Sequence, residues 1–264
     1  MKKKMLWPIV FLFVLESSAY AQFKYDFPQF FRETGHYFTK PLSWKGDDFL
    51  MIGSLAAGTA VAAVLENPAR DVAFSIRPLY HGAAANFGDF YGGLWTPFIF
   101  FGGFGGYSLI TGDMTARKIA YEIGQSCLYA GAIVTILKIG VGRARPYANL
   151  GKSSLFNFSL KNDAYHSFPS GHVTEAMAMS SVLAFNVEPL WLKILCFTPV
   201  PFTVFARAYQ GYHWISDCVF GAGIGFFTAK WCADAHGRVD DAAPKTGSLE
   251  VKSLWPFTVS MALN

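Results

Sequence analysis

Apolar residues gather along the chain in six stretches, at about 49–65, 90–112, 119–137, 173–187, 190–206 and 214–230. They are rich in Gly, Ala, Phe and Leu, and strand-like alternation is scarce. That pattern predicts helices rather than strands. The expected fold is all-α, a bundle of about six core helices. Gly102 and Gly106, like Gly221 and Gly225, lie four residues apart; on a helix such pairs share a face and let two backbones approach closely. Residues 22–48 read as a polar N-terminal segment, 49–233 as the bundle and 234–264 as a polar tail. The tail run Ser253 to Val259 fits a short strand or an interfacial aromatic anchor.

Composition sharpens this picture. The chain is 52% apolar and only 15% charged, against a usual charged share of about a quarter. It is short of solvated surface, so the bundle is expected to be membrane-associated. Embedding is not forced, because a helix of roughly 16 residues spans about 24 Å of a ~30 Å hydrocarbon core. The net charge is +4, with no basic run beyond the N-terminus, which argues against a nucleic-acid groove. The four cysteines form no C-x-x-C pair and no metal-ligand spacing with histidine; they read as small hydrophobes.

Residues 1–21 have the form of an export signal: Lys2, Lys3 and Lys4, an apolar core from Met5 to Leu15, then Ala19-Tyr20-Ala21. Cleavage before Gln22 would place the protein in the cell envelope. Six full crossings after a cleaved signal would put the Lys138–His172 region in the cytoplasm. The positions of Arg117, Lys118, Lys193 and Lys230 put it outside instead. Both cannot hold: one stretch fails to span, the signal is retained, or the bundle is soluble and exported.

Three polar stretches punctuate the apolar ones. Lys138 and Arg145 lie seven residues apart, close to two helical turns, and Pro146 should end that helix at Arg145. Pro169-Ser170-Gly171-His172 precedes an apolar run and marks a helix N-terminus, a natural anion site where Gly171 keeps space for a phosphate oxygen. In the third, His213 and Asp217 stand four residues apart, downstream of Arg207. A carboxylate there can orient the imidazole and leave its other nitrogen as a nucleophile.

Each stretch alone is ordinary. Together they converge, because residues 173–187 lead away from His172 and 190–206 return by nearly the same length after the turn at Asn186–Pro189. Three cations, two histidines and a carboxylate meet at one pole, a composition suited to a phosphate dianion.

Lys138-x6-Arg145-Pro146, Pro169-Ser170-Gly171-His172 and Arg207-x5-His213-x3-Asp217 resemble the three signature motifs of the type 2 phosphatidic acid phosphatase superfamily. Lipid phosphate phosphatases, bacterial acid phosphatases and vanadium haloperoxidases belong to it. Ala206 departs from the pattern, which usually has Ser before the Arg. The resemblance implies that Lys138, Arg145 and Arg207 hold the phosphate with Ser170 and Gly171. It implies that His213 attacks phosphorus, oriented by Asp217, and that His172 protonates the leaving alcohol and then activates water. It further implies that no metal or other cofactor takes part, since the cations supply the charge stabilisation.

Among other polar residues, His36, His81, His166 and His236 are assigned no catalytic role, although His166 is close to Pro169. Glu122 and Glu175 on apolar helices read as paired or terminal, and Arg143 fits the motif less well than Arg145. The expected activity is hydrolysis of phosphate monoesters or pyrophosphates of a lipid, by an inner-membrane protein with a periplasm-facing site. The alternatives are a soluble periplasmic acid phosphatase acting on small phosphate esters and, less favoured for so short a chain, a vanadium haloperoxidase.

Overall fold

The structure, a computed structural model, describes residues 24–77, 82–159 and 161–241. The export signal, His81 and the tail run from Ser253 lie outside them. The described residues form ten α-helices and no strand: α1 (Phe27–Thr39), α2 (Gly46–Val64), α3 (Glu66–Ser75), α4 (Ala83–Gly92), α5 (Trp95–Thr111), α6 (Met114–Val141), α7 (Gly171–Phe185), α8 (Leu190–Phe197), α9 (Pro199–Tyr209) and α10 (Ile215–Asp241). All six apolar stretches fall on helices, two of them divided. One is interrupted between Gly92 and Trp95. The other breaks at Thr198, where Pro199 lacks the N–H that would continue α8.

The centre of the molecule is α6, α7 and α10, which pack on one another, with α5 against α6 and α2 against α10. Ile123, Val173, Met179, Val182 and Cys218 are almost wholly buried in the shared core. Gly221 and Gly225 permit this closeness as expected. A Cβ at Gly221 would stand 2.6 Å from the Ser170 carbonyl oxygen, and one at Gly225 would run into the Thr174 carbonyl. Gly102 and Gly106 behave differently: nothing lies within 4 Å of a Cβ at either, so they mediate no close approach here.

The N-terminal segment is not merely polar. Asp26 caps α1 by accepting from the Gln29 N–H at 2.8 Å. Glu33 then ties that helix to the bundle, accepting from Gln125 at 2.8 Å and Tyr121 at 3.2 Å. His236 finds two carboxylates across the chain, Glu122 at 2.9 Å and Glu33 at 3.2 Å. α10 runs on to Asp241, so the polar region from residue 234 begins as helix. Asp234 pairs along the helix with Lys230 at 3.0 Å, while His236 draws its partners from α1 and α6.

Three stretches are long and apolar enough to cross a membrane: Gly46–Val64, Met114–Ala148 and Leu190–Tyr209. Large apolar side chains face outward on α2 (Phe49, Val61, Val64) and α5 (Phe98, Leu109, Ile110). So much exposed apolar surface suits a lipid surround rather than water. The protein is a membrane-associated helical bundle.

Candidate active site

Lys138 stands in the last turn of α6, which stops at Gly142 in the left-handed region with φ +53°. A Cβ there would meet Asn157 backbone atoms at 2.6 to 2.8 Å, so the returning loop requires glycine. The helix thus ends before Arg145, which lies in extended chain at φ −75°, ψ 152°. Lys138 and Arg145 therefore do not share a helical face; the loop rather than the helix brings Arg145 to the site.

Each cation is held. Lys138 Nζ donates to the His166 carbonyl at 2.6 Å. Arg145 donates to the Asp163 carboxylate at 2.7 Å, the Asp163 carbonyl at 2.8 Å and the Tyr212 carbonyl at 3.3 Å. Arg207, at the end of α9, pairs with Asp89 and Gln210. Both arginines lie over the Tyr212 ring, at 5.2 and 5.0 Å from its centroid. A Cβ on Gly171 would stand 3.9 Å from Lys138 Cε and 3.8 Å from Val134 Cγ1, ordinary contact distances, so these neighbours do not by themselves require glycine.

The N-terminus of α7 completes the cradle. The Ser170 backbone N–H donates to the Asp217 carbonyl at 3.0 Å. Its hydroxyl is buried beside the weakly bonding Cys218 thiol and has no oxygen or nitrogen partner. Arg207 Nε is likewise buried without a partner. First-turn N–H groups such as that of Gly171 have no acceptor within their own helix. Buried donors without partners are uncommon in folded proteins, and an anion seated here would satisfy them.

His213 is buried, and its Nδ1 lies 2.6 Å from the Ser167 carbonyl oxygen but 3.8 Å from Asp217 Oδ2. A carbonyl only accepts, so Nδ1 carries the proton and Nε2 keeps its lone pair. Asp217 acts one step back. Its Oδ2 accepts from the Ser167 hydroxyl at 2.5 Å and the Trp214 N–H at 2.8 Å, and its Oδ1 from Arg143 at 2.6 Å. It thereby holds both neighbours of the imidazole. Burial lowers the His213 pKa to about 3, with Lys138 and Arg145 adding to the effect and Asp217 opposing it. Asp217 stays below its ordinary range, because His213, Arg143 and Ser167 together outweigh its burial. His172 is lowered to about 4, first by burial and then by Arg207, with Asp89 opposing.

Sequence reasoning set Arg143 aside, yet it anchors the site from behind. It donates to Asp217, to Ser216 at 2.8 Å, and to Glu66 on α3 at 2.8 Å. Glu66, Asp89 and Ser167 were not legible as site residues. Glu66 and Asp89 carried one faint signal, as acids between apolar stretches in a chain poor in charge. His166 contributes through its carbonyl, while its ring Nε2 lies 2.7 Å from the Ser159 carbonyl. Among the described residues no cluster of His, Cys, Asp and Glu could hold a metal ion.

The structure of Aquifex aeolicus LpxE is similar at 20% identity with a TM-score of 0.42, covering 62% of this chain and 93% of that one. A lipid A 1-phosphatase of Porphyromonas gingivalis is 28% identical over 127 residues, covering 46% of this chain and 28% of the relative. One from Rhizobium johnstonii is 30% identical over 160 residues, covering 53% and 59% respectively. The matches thus span less than two thirds of these relatives. The family model described as PAP2 superfamily matches residues 121–240, a span that contains Lys138, Arg145, the Pro169–His172 turn, Arg207, His213 and Asp217. All three motifs lie inside that span and fold to one pole of an all-helical bundle, so over residues 121–240 the chain is similar to the PAP2 superfamily.

Proposed function

We propose that this protein is a phosphatase that removes a phosphate monoester or pyrophosphate group from a lipid through a phosphohistidine, without a metal. The observation that carries this reading is the pair of buried donors without partners, Ser170 Oγ and Arg207 Nε, at the pole where His213 presents an unprotonated Nε2. Lys138, Arg145 and Arg207 hold the equatorial phosphate oxygens and stabilise their charge. The His213 Nε2–P bond forms as the P–O bond to the alcohol breaks, and His172 gives its proton to the departing oxygen. In the second step water attacks phosphorus, His172 takes the water's proton, and His213 is released as the neutral imidazole.

A lipid substrate is favoured over a small ester by the apolar surroundings. A cleft of ≈ 530 Å³ is lined on one side by Ala56, Ala60, Leu155, Phe168 and Phe220 and on the other by Glu66, Arg143, Lys152 and Ser216; its apolar side suits an acyl chain. The relatives' names point to the 1-phosphate of a lipid A-type disaccharide as the first substrate to assay. Arg117, Lys118 and Lys193 lie toward the opposite end of the bundle from Lys138, which supports a periplasm-facing site.

The test is phosphate release by the purified full chain in detergent, with lipid A-type 1-phosphate, phosphatidate, a polyprenyl pyrophosphate and p-nitrophenyl phosphate, each with and without EDTA. Turnover of at least one lipid, unaffected by EDTA, is expected. No turnover of any ester would overturn the reading. Efficient turnover of the small ester alone, together with recovery of the protein in the soluble fraction after carbonate extraction, would favour a soluble acid phosphatase.

A further inference from the structure

Asp89 belongs to none of the three motifs, and its only mark in the sequence is to be an acid in a chain poor in charge. It stands on α4, with its side chain 43% exposed, enough to be reached from the site. Its position is set tightly on both sides. A Cβ on Gly88 would run into the Phe202 carbonyl of α9, and one on Gly92 would stand 2.6 Å from Thr203 Cγ2 and 2.7 Å from the His172 carbonyl oxygen. The Thr203 hydroxyl donates to the Gly88 carbonyl at 2.9 Å. Two glycines four residues apart thus seat α4 against α9 and the start of α7. Thr203 lies one turn before Arg207, and Gly88 lies beside Asp89, so the same contact brings that acid and that base together. Asp89 Oδ1 pairs with Arg207 Nη2 and lies 3.5 Å from His172 Nε2.

We propose that Asp89 is a positioning residue for the general acid: its carboxylate holds His172 and aims the imidazole that passes its proton to the leaving alcohol. This rests on the phosphatase reading above. The need for such a group follows from the charges that face His172. Lys138 of α6, Arg145 of the following loop and Arg207 of α9 are cations that repel a second positive charge, and each lowers the proton affinity of the ring. The start of α10 contributes neutral His213 and Asp217, the latter engaged by Arg143, Ser167 and Trp214. Asp89 of α4 is the acid in direct contact, and it acts in the opposite direction to the three cations. An arrangement that gathers cations for phosphate works against an imidazolium beside them, and Asp89 offsets that conflict without touching phosphorus.

The experiment compares wild type, Asp89→Asn and Asp89→Glu, as full chains in detergent, on esters with acidic leaving groups (p-nitrophenyl phosphate) and basic ones (alkyl and lipid phosphates). Inhibition by orthovanadate reports on the cradle. Asp89→Asn is expected to lose on the order of tenfold or more in kcat on alkyl esters and much less on p-nitrophenyl phosphate. Its alkaline limb should move to lower pH by about one unit, and vanadate inhibition should persist. Asp89→Glu should recover part of the alkyl-ester rate. Equal losses across leaving groups with an unmoved alkaline limb, or loss of vanadate inhibition in step with kcat, would show that Asp89 only holds Arg207. An inactive wild type would instead overturn the phosphatase reading.

Discussion

His213 Nδ1 lies 2.6 Å from the Ser167 carbonyl oxygen, and Asp217, its expected partner, stands 3.8 Å away. The carbonyl therefore sets the tautomer, while the carboxylate holds the Ser167 hydroxyl and the Trp214 N–H on either side of the ring. Behind His213 a short chain of buried polar contacts runs from Glu66 through Arg143 and Asp217 to Ser167.

Asp217→Asn should therefore act on stability as well as rate. It removes one of the two carboxylates that pair with buried Arg143; Glu66 remains, so the cost should fall below the about 3–5 kcal/mol of a fully broken buried pair. The expected result is a lowered thermal midpoint together with reduced kcat. A variant that loses activity at unchanged stability would point to a direct role on His213 instead.

His213→Ala should abolish phosphate release while leaving the fold intact. Its imidazole gives the backbone one contact, so its loss removes about one hydrogen bond and a small volume. Brief reaction with radiolabelled substrate and quenching in alkali should trap an acid-labile label in wild type and none in the variant. Label retained by the variant would exclude His213 as the nucleophile.

Acid should destabilise the protein. The ordinary pKa of 6.5 applies to His213 in the unfolded chain, against about 3 in the folded one. Its contribution is fully present above pH 6.5 and declines as pH falls toward 3, because the unfolded chain takes up a proton that the folded one resists. His172, lowered from 6.5 to about 4, adds to this loss in the same direction. Thermal midpoints measured from pH 8 to pH 4 should fall on acidification. A midpoint that rises over that interval would contradict the burial of a neutral His213.

Gly221→Ala should separate α7 from α10 where the site is built. The new methyl would stand 2.6 Å from the Ser170 carbonyl oxygen and 2.9 Å from Thr174 Oγ1. Overpacking of this kind costs about 1–3 kcal/mol. The same displacement should weaken vanadate inhibition, because Ser170 belongs to the cradle. Gly102→Ala, with open space around it, is the control and should change neither.

Hydrophobic patterning alone placed helix under all six apolar stretches but missed α1, α3 and most of α4, because burial against neighbours and lipid is recorded as an absence of charge only where it is continuous. The chemistry of Lys138, Arg145, Ser170, Arg207 and His213 was legible for a similar reason: their types and spacings are local. What depended on tertiary structure was each interaction whose partners are distant in the chain. Arg143 looked spare until α3 placed Glu66 and α10 placed Asp217 against it, 77 and 74 residues away. His236 finds its partners only where α1 and α6 bring Glu33 and Glu122 to it. Lys138 and Arg145 appeared to share a helical face because Gly142 does not by itself announce a helix end; the crossing of Asn157 requires it. Sequence by itself named the groups proposed to meet the phosphate, since one short segment supplies each. Only the folded chain decided how those groups are held, because a proton's location and a side chain's direction depend on neighbours that the sequence places far apart.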